Sequence, residues 1–276
     1  MLGALIIVFR EVIEAGLIVG IVLAMTRGVP GRGRWVAGGV TAAVLGAALL
    51  AVFARTIAEA FEGSGQELFN ASVLGIAVAM LMWHTAWMAS HGQEMAASMA
   101  AVGKEVTGGK RPLAALATVV GLATLREGSE VVLFLYGIVA AGASASSLLT
   151  GGALGLAAGV AFTALTYYGL LAIPSRYIFA VTSVLIALLA AGMAAQAVQF
   201  LDAAGLIDVF GERLWDSSAW LPQDSILGRL LHTLVGYTDR PTELQLIAYL
   251  ATLAMMVGLT RMAGGRTTED RRRIRV

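Results

Sequence analysis

The sequence predicts an all-α membrane protein with seven transmembrane helices, and three observations support that prediction. Hydrophobic residues make up 58% of the 276-residue chain and charged residues only 13%, whereas a soluble domain has about 25% charged residues. The mean hydropathy is +0.80. A helix needs about 20 mostly apolar residues to cross a bilayer, and seven stretches qualify: residues 2–25, 35–54, 68–90, 113–140, 147–172, 177–200 and 244–262.

Charge predicts which side of the membrane each connecting segment occupies. If the N-terminus lies outside, 13 Lys and Arg fall on the cytoplasmic side, 4 outside and 2 within the membrane. Acidic residues show the opposite distribution, with 10 outside, 4 inside and 4 within the membrane. Because cytoplasmic loops carry the excess of Lys and Arg, we predict an N-out, C-in orientation in the inner (plasma) membrane of the cell.

The connecting segments complete the predicted order of elements. The first stretch is interpreted as a retained span, because charged residues interrupt its apolar core, unlike that of a signal peptide. Segment 91–112 is expected to be partly helical. Segment 201–243 is acidic and contains Trp215 and Trp220, so we expect short helices at the outer interface, where Trp is favoured. The basic tail, 263–276, is predicted to be cytoplasmic.

Two of the apolar stretches contain the same pattern of charged residues. Residues 10–14 read Arg-Glu-Val-Ile-Glu, and residues 126–130 read Arg-Glu-Gly-Ser-Glu. An ionisable side chain costs roughly 2.5–3.5 kcal/mol at the centre of a transmembrane helix, and such residues mark ion or substrate pathways. On a helix the two glutamates share a face, and the arginine reaches the second one at i+4. A cation between the two helices would balance the excess negative charge; the alternative is a pair of salt bridges that only joins helices.

The positions of the two motifs predict an inverted repeat. Both lie near the middle of their spans, and three spans separate them along the chain, so their helices run in opposite directions. We therefore predict a single transmembrane domain, 1–262, in which repeat 1 is about 2–90 and repeat 2 about 113–200. Residues 201–243 form an extracytoplasmic segment, and 244–262 form a seventh, extra span. Such repeats are typical of transporters that bind their substrate at the midplane.

The third stretch offers further candidates. Met80, His84, Met88 and His91 lie on one helical face. Histidine is a common metal ligand and proton carrier, and methionine is a soft ligand suited to Cu(I) rather than iron; packing is the alternative for this stripe.

Two glutamates and the absence of cysteine complete the chemical inventory. Glu62 and Glu67 precede the third stretch and are candidates for an outer cation entrance, or for a solvated face. The chain has no cysteine, which excludes disulfides, thiolate metal sites and Cys-bound Fe–S clusters.

The two R-E-x-x-E motifs, placed in spans 1 and 4 of a seven-span chain, resemble those of the oxidase-dependent iron permeases. This family comprises the fungal high-affinity iron permease and bacterial ferrous/ferric iron uptake permeases. The resemblance covers nearly the whole chain. It includes residues 66–69 (Gln-Glu-Leu-Phe), Trp83, Trp87, residues 203–206 (Ala-Ala-Gly-Leu) and a pattern between Ser225 and Pro241.

A few positions depart from the pattern of that family. Val12-Ile13 stands where Gly-Leu is usual, and Ser129 stands where Leu is usual. Asn70 replaces a common carboxylate, and His84 replaces a frequent Met.

The resemblance implies an iron importer rather than an enzyme. It implies iron, as Fe²⁺ or Fe³⁺, as the transported substrate, no permanent cofactor, and an extracytoplasmic iron oxidase or iron-delivery protein as partner. By motif match the metal ligands are Glu11, Glu14, Glu127 and Glu130, with Arg10 and Arg126 as charge partners. Iron is expected to enter from the acidic outer side, displace protons and arginine from the glutamates, and leave inward as the two halves rock.

Two other functions remain open from the residues alone. One keeps the fold and changes the cargo to another divalent cation, Mn or Pb. The other is an intramembrane carboxylate metalloenzyme, which is disfavoured because di-iron sites in helix bundles use Glu-x-x-His pairs and here a glutamate takes the place of that histidine in both motifs.

Overall fold

The computed structural model describes residues 1–60, 65–169, 175–207 and 209–273, and most residues in these ranges are helical. The only extended pairing within them is an isolated bridge between Arg213 and Thr242. The prediction of an all-helical chain is confirmed. The helices are α1 Leu2–Met25, α2 Arg32–Ala60, α3 Gln66–Thr107, α4 Ala114–Ala140, α5 Ala145–Tyr167, α6 Ser175–Ala203, α7 Ile226–Val235 and α8 Glu243–Arg273.

Within the described residues, five helices are long and apolar enough to cross a membrane, and they support a multi-pass membrane protein. The candidate spans are Arg32–Thr56, Gln66–Thr107, Ala145–Tyr167, Tyr177–Ala203 and Glu243–Met262. Helices α1 and α4 have 24 and 27 residues, which is sufficient length. Each of them, however, carries an arginine and two glutamates in its middle. Hydropathy alone therefore does not assign α1 and α4 as spans.

Segment 91–112 is partly helical as predicted, whereas segment 201–243 differs from the prediction. Helix α3 is continuous over 42 residues, so the predicted connection 91–112 is helical as far as Thr107. No proline interrupts this helix, and it ends before Gly109, which has a φ of +71°. Segment 201–243 contains one short helix in the described ranges, α7, instead of several. Helix α8 continues to Arg273, through most of the predicted cytoplasmic tail.

Loop hydrogen bonds, rather than further helices, hold segment 201–243 together. Leu214 donates its backbone N–H to the carbonyl of Pro241 at 3.0 Å, and Ser217 donates to that of Asp239 at 2.9 Å. The hydroxyls of Ser217 and Tyr237 are 2.6 Å apart.

Small residues allow two pairs of parallel helices to pack closely. Along α5, Gly151, Gly155 and Gly159 follow α1 in the same direction, and a Cβ on Gly159 would lie 2.7 Å from Val12 Cγ1. Helix α2 runs parallel to α4 in the same way, and a Cβ on Gly128 would lie 2.9 Å from the Cβ of Ala47. Glycine at such contacts is a common device for close helix packing within membranes.

Two apolar clusters fix the relative direction of α1 and α4. We call one the Phe134 cluster; it joins the start of α1 to the end of α4 and includes Ala4, Ile7, Leu74, Leu81, Phe134, Ile138, Ile186 and Met193. The other, the Val120 cluster, joins the end of α1 to the start of α4 and consists of Val22, Val36, Val106, Leu116 and Val120. The two helices are therefore antiparallel, and both charged motifs lie between the clusters.

Candidate metal centre

The charged motifs form a buried polar layer between the Phe134 and Val120 clusters. In α1, Arg10, Glu11 and Glu14 are at most 3% exposed. In α4, Glu127 is 2% exposed and Glu130 is 6% exposed. The helical repeat turns the charged residues of each motif to one side, so five charged side chains converge inside an otherwise apolar bundle.

The α1 motif is internally paired. Arg10 donates from one terminal nitrogen to Glu11 Oε1 at 2.9 Å and from the other to Glu14 Oε1 at 2.8 Å. The second oxygen of each glutamate is buried and has no hydrogen-bond partner among the described residues. One guanidinium thus orients two carboxylates and leaves an oxygen of each for another partner.

The α4 motif is paired less completely. Arg126 donates from Nε to Glu130 Oε1 at 3.2 Å, and its side chain is 33% exposed, against 3% for Arg10. Its guanidinium carbon lies 4.1 Å from the centroid of the Trp87 ring. Both oxygens of Glu127 are buried without a hydrogen-bond partner in the described ranges.

Helix α3 contributes His84, which lies between the two motifs. Its Nδ1 contacts Glu130 Oε2. On the other side of the ring, Nε2 is 3.3 Å from Glu14 Oε2 and 3.8 Å from Glu11 Oε2. The imidazole is 2% exposed, so one side chain from the third helix joins the carboxylates of α1 to those of α4.

These side chains have the composition of a metal site. One ligand atom each from Glu11, His84, Glu127 and Glu130 lies within 4.8 Å of all the others. Buried polar groups without partners are costly, and a cation satisfies several carboxylate oxygens at once. Carboxylate oxygens with one imidazole nitrogen suit a first-row divalent transition metal. The arrangement is chemically able to bind such an ion.

Helix packing explains how both motifs reach the same buried layer although their central residues differ. In α1 the motif residue Val12 projects towards Gly159 of α5, which has no side chain. In α4 the small residue belongs to the motif itself, because Gly128 faces Ala47 of α2. The first motif has Val where the second has Gly, and in the first case the glycine is found on the helix that packs against the motif.

The structure brings together only some of the residues singled out in the sequence. Glu14 is paired with Arg10 and approaches His84, but it lies outside the group of four ligand atoms. Glu67 is exposed in the first turn of α3, about 25 Å along the helix from His84 at 1.5 Å per residue. Glu62 lies outside the described residues.

The methionine stripe on α3 does not surround the group. Met80 is 36% exposed, Met88 is half-buried, and His91 is exposed. The sequence reasoning gave no role to Trp87 beyond the family pattern, although it follows His84 by three residues and so lies on the same helical face.

The fold and the centre together define a multi-pass helical membrane protein with a candidate cation site inside its bundle. Residues 1–264 match the Iron permease FTR1 family, and the chain belongs to that family. Permeases are transporters, so this protein is a transporter and not an enzyme.

Known relatives cover most of the chain. It is 34% identical over 241 residues to the ferrous iron permease EfeU of Escherichia coli O6:H1, with 86% of each chain covered. It is 33% identical over 240 residues to EfeU of Shigella sonnei, again with 86% of each covered. For EfeU of Yersinia pestis the identity is 30% over 252 residues, covering 90% of this chain and 88% of that one. No solved structure gives a significant match.

Proposed function

We propose that this protein imports iron across the cytoplasmic membrane and binds it at the centre between α1 and α4. The observation that carries the proposal is the buried group of Glu11, His84, Glu127 and Glu130, whose ligand atoms lie within 4.8 Å of one another. Within it, both oxygens of Glu127 have no hydrogen-bond partner among the described residues. The relatives support iron as cargo, because they are named ferrous iron permeases. Glu11, Glu127 and Glu130 supply oxygen ligands, and His84 supplies a nitrogen.

The charge of the centre favours a divalent ion. The two motifs contain four glutamates and two arginines, so with a neutral imidazole the ionised layer has a net charge of −2. Fe²⁺ restores neutrality, which matters because an uncompensated charge is expensive in a medium of low dielectric constant. Glu14 is the fourth carboxylate of the motifs, and it serves by fixing Arg10 and by approaching the metal when His84 shifts.

In this proposal α1 and α4 are also membrane spans, giving seven spans with the N-terminus outside and the C-terminus inside. Packing supports an inverted repeat of α1–α3 and α4–α6. Helix α1 packs on α5 as α4 packs on α2, and α3 pairs with α6. Exchanging the two halves therefore maps the main contacts onto each other, and α8 is the additional span.

The two apolar clusters serve as the barriers on either side of the iron site. On the proposed outer side, a cavity of about 560 Å³ is lined by residues that include Gln196, Asp224 and His232, and the Phe134 cluster separates it from the motifs. On the inner side, the Val120 cluster closes the path. Iron enters from the outer cavity, binds between the motifs, and is released inward when one half rocks against the other, as in other inverted-repeat transporters.

The domain boundaries and the partner belong to the same proposal. Residues 1–262 form one permease domain with an extracytoplasmic segment at 201–243, and 263–276 form a basic cytoplasmic tail. The extracytoplasmic segment is the surface on which an iron oxidase or iron-delivery protein supplies the ion at the outer cavity. No permanent cofactor is part of the proposed mechanism.

Uptake by the purified protein in liposomes tests the function. We expect the wild-type protein to accumulate ⁵⁵Fe²⁺ more readily than ⁵⁵Fe³⁺, and Glu127→Gln to reduce uptake at least tenfold. Glu105→Gln is the matched control, because Glu105 forms an exposed ion pair with Arg111 of a kind that contributes little to stability. Varying the pH gradient shows whether protons are exchanged for iron.

Competition with Mn²⁺ and Pb²⁺ separates iron import from the alternative cargo. The nitrogen ligand from His84 also suits other borderline divalent metals. Ligand chemistry alone therefore does not select iron, and the competition assay is needed to decide the cargo. Accumulation of iron that is unchanged in Glu127→Gln would contradict the proposed site. Faster uptake of Mn²⁺ or Pb²⁺ than of Fe²⁺ would show that one of these ions, rather than iron, is the cargo.

A further inference from the structure

The two copies of the motif have the same charged residues but form different ion pairs. Arg10 binds both glutamates of its motif. Arg126 binds only Glu130, through Nε, and Glu127 has no hydrogen-bond partner among the described residues. The pair between Arg10 and Glu11 shows that an arginine in this motif can reach the adjacent carboxylate. Reach therefore does not explain why Glu127 is left unpaired.

The difference is found on α3. The Trp87 ring lies under the Arg126 guanidinium at 4.1 Å, and a terminal nitrogen of Arg126 is 4.0 Å from Met95 Sδ. Trp87 is itself stacked on His91, with ring centroids 5.2 Å apart and an interplanar angle of 13°. In the part of the chain that the structure describes, no aromatic ring lies over Arg10 in this way.

We infer that Trp87 is a positioning residue for the iron site, which acts by holding Arg126 away from Glu127. Trp is the best aromatic partner for a guanidinium, and the interaction shifts an equilibrium by roughly twofold to thirtyfold, depending on desolvation. Without the ring, the Arg126 guanidinium turns to Glu127 and forms the pair that Arg10 forms with Glu11. An incoming cation then has to displace an arginine from the carboxylate that is otherwise free.

This inference rests on the proposed function and adds a division of roles between the motifs. The α1 motif supplies carboxylates whose orientation Arg10 fixes. The α4 motif supplies an unpaired carboxylate, Glu127, which is the first to receive the ion. The 33% exposure of Arg126 also places it at the edge of the buried layer, where its movement does not require the bundle to open.

The test compares Trp87→Leu with Trp87→Phe in the full-length protein. Leu fills much of the space without a π face, and Phe keeps the ring. Because Arg126 is partly exposed, we expect Trp87→Leu to raise the KM for ⁵⁵Fe²⁺ uptake about fivefold, with kcat changed less than twofold. Trp87→Phe should stay within about twofold of wild type. Trp83→Leu is the matched control, since Trp83 is on the same helix and 71% exposed.

A double-variant cycle attributes the effect to Arg126. Equilibrium binding of ⁵⁵Fe²⁺ to the detergent-solubilised protein provides the readout, because it does not require transport. In an Arg126→Gln background, Trp87→Leu should no longer change the Kd. An equal loss for Leu and Phe at position 87, an unchanged KM for Trp87→Leu, or additive effects with Arg126→Gln would each overturn the inference.

Failure of the inference is distinguishable from failure of the proposed function. If iron is not the cargo, or the centre is not the site, Glu127→Gln leaves iron binding unchanged. If only the inference is wrong, Glu127→Gln abolishes iron binding. Trp87→Leu then leaves the KM unchanged, causes the same loss as Trp87→Phe, or has an effect additive with that of Arg126→Gln. Size-exclusion profiles and apparent Tm values of all variants show whether each one folds.

Discussion

Replacing Glu127 with glutamine should make the protein more stable and, at the same time, prevent it from binding iron. Glu127 is 2% exposed, and both of its oxygens lack a hydrogen-bond partner among the described residues. The other ligand atoms of the group lie within 4.8 Å. At that separation two like charges repel by about 3 kcal/mol at an effective dielectric constant of 20. Glutamine removes this repulsion and nearly preserves the volume of the side chain.

The free energy of unfolding should therefore rise in Glu127→Gln by an amount of up to about 3 kcal/mol, the figure for one such pair. A change of 1 kcal/mol moves Tm by about 2–4 °C in a chain of 150–250 residues, so an increase of several degrees is expected. Fe²⁺ should raise the apparent Tm of the wild type, because a ligand that binds the native state stabilises it. It should have little effect on the variant.

Glu14→Gln provides the contrast, since Glu14 accepts from Arg10 at 2.8 Å. Removing one partner of a buried ion pair is strongly destabilising, so the apparent Tm of this variant should fall. The assay is thermal unfolding of detergent-solubilised protein, followed by tryptophan fluorescence with and without Fe²⁺. The reasoning is refuted if Glu127→Gln lowers Tm as Glu14→Gln does, or if Fe²⁺ still stabilises Glu127→Gln as strongly as the wild type.

Three further predictions concern the ion pairs, the helix packing and the loop between α6 and α8. Arg10→Gln should cost about 3–5 kcal/mol, because it leaves buried charge uncompensated, whereas Arg126→Gln should cost clearly less; SDS titration of helicity compares them. Gly159→Ala should cost about 1–3 kcal/mol by overpacking, and adding Val12→Ala should recover part of it, as the apparent Tm will show. Hydrogen bonds from the hydroxyl and backbone N–H of Ser218 lower the pKa of Asp216 to about 2. The loop should therefore keep these bonds above pH 3.8 and lose them as the pH falls through about 2. A ¹³C NMR titration of the Asp216 carboxyl carbon measures this.

Sequence reasoning was most accurate where local rules decide the structure. The first and fourth spans, predicted at 2–25 and 113–140, correspond to helices Leu2–Met25 and Ala114–Ala140. The i,i+4 rule also predicts the pairs of Arg10 with Glu14 and of Arg126 with Glu130. These features depend on hydrophobicity and helical spacing, both of which are readable along one segment of chain.

Features that depend on contacts between helices were harder to predict. The position of His84 between the motifs depends on how α3 packs against α1 and α4, and nothing within residues 66–107 specifies that packing. The same holds for Trp87, whose ring lies against an arginine 39 positions away in sequence. Loop structure was also missed, because Leu214 and Ser217 donate backbone hydrogen bonds to Pro241 and Asp239, which lie 27 and 22 positions further along the chain.

The difference in exposure between the two motif arginines has a consequence for transport. Arg126 is 33% exposed, whereas Arg10 is 3% exposed. Because a guanidinium at membrane depth is tolerated where it meets water or a partner, the proposed mechanism places Arg126 in a water-filled crevice beside the α4 motif. In the proposed orientation this crevice is on the cytoplasmic side, because Arg126 lies on the side of its motif nearer the Val120 cluster. An inverted repeat has a second arrangement in which its halves exchange roles. Arg10 would then be the arginine at an open crevice and Arg126 the buried one, and iron held between them would face the outer cavity in one arrangement and the cytoplasm in the other.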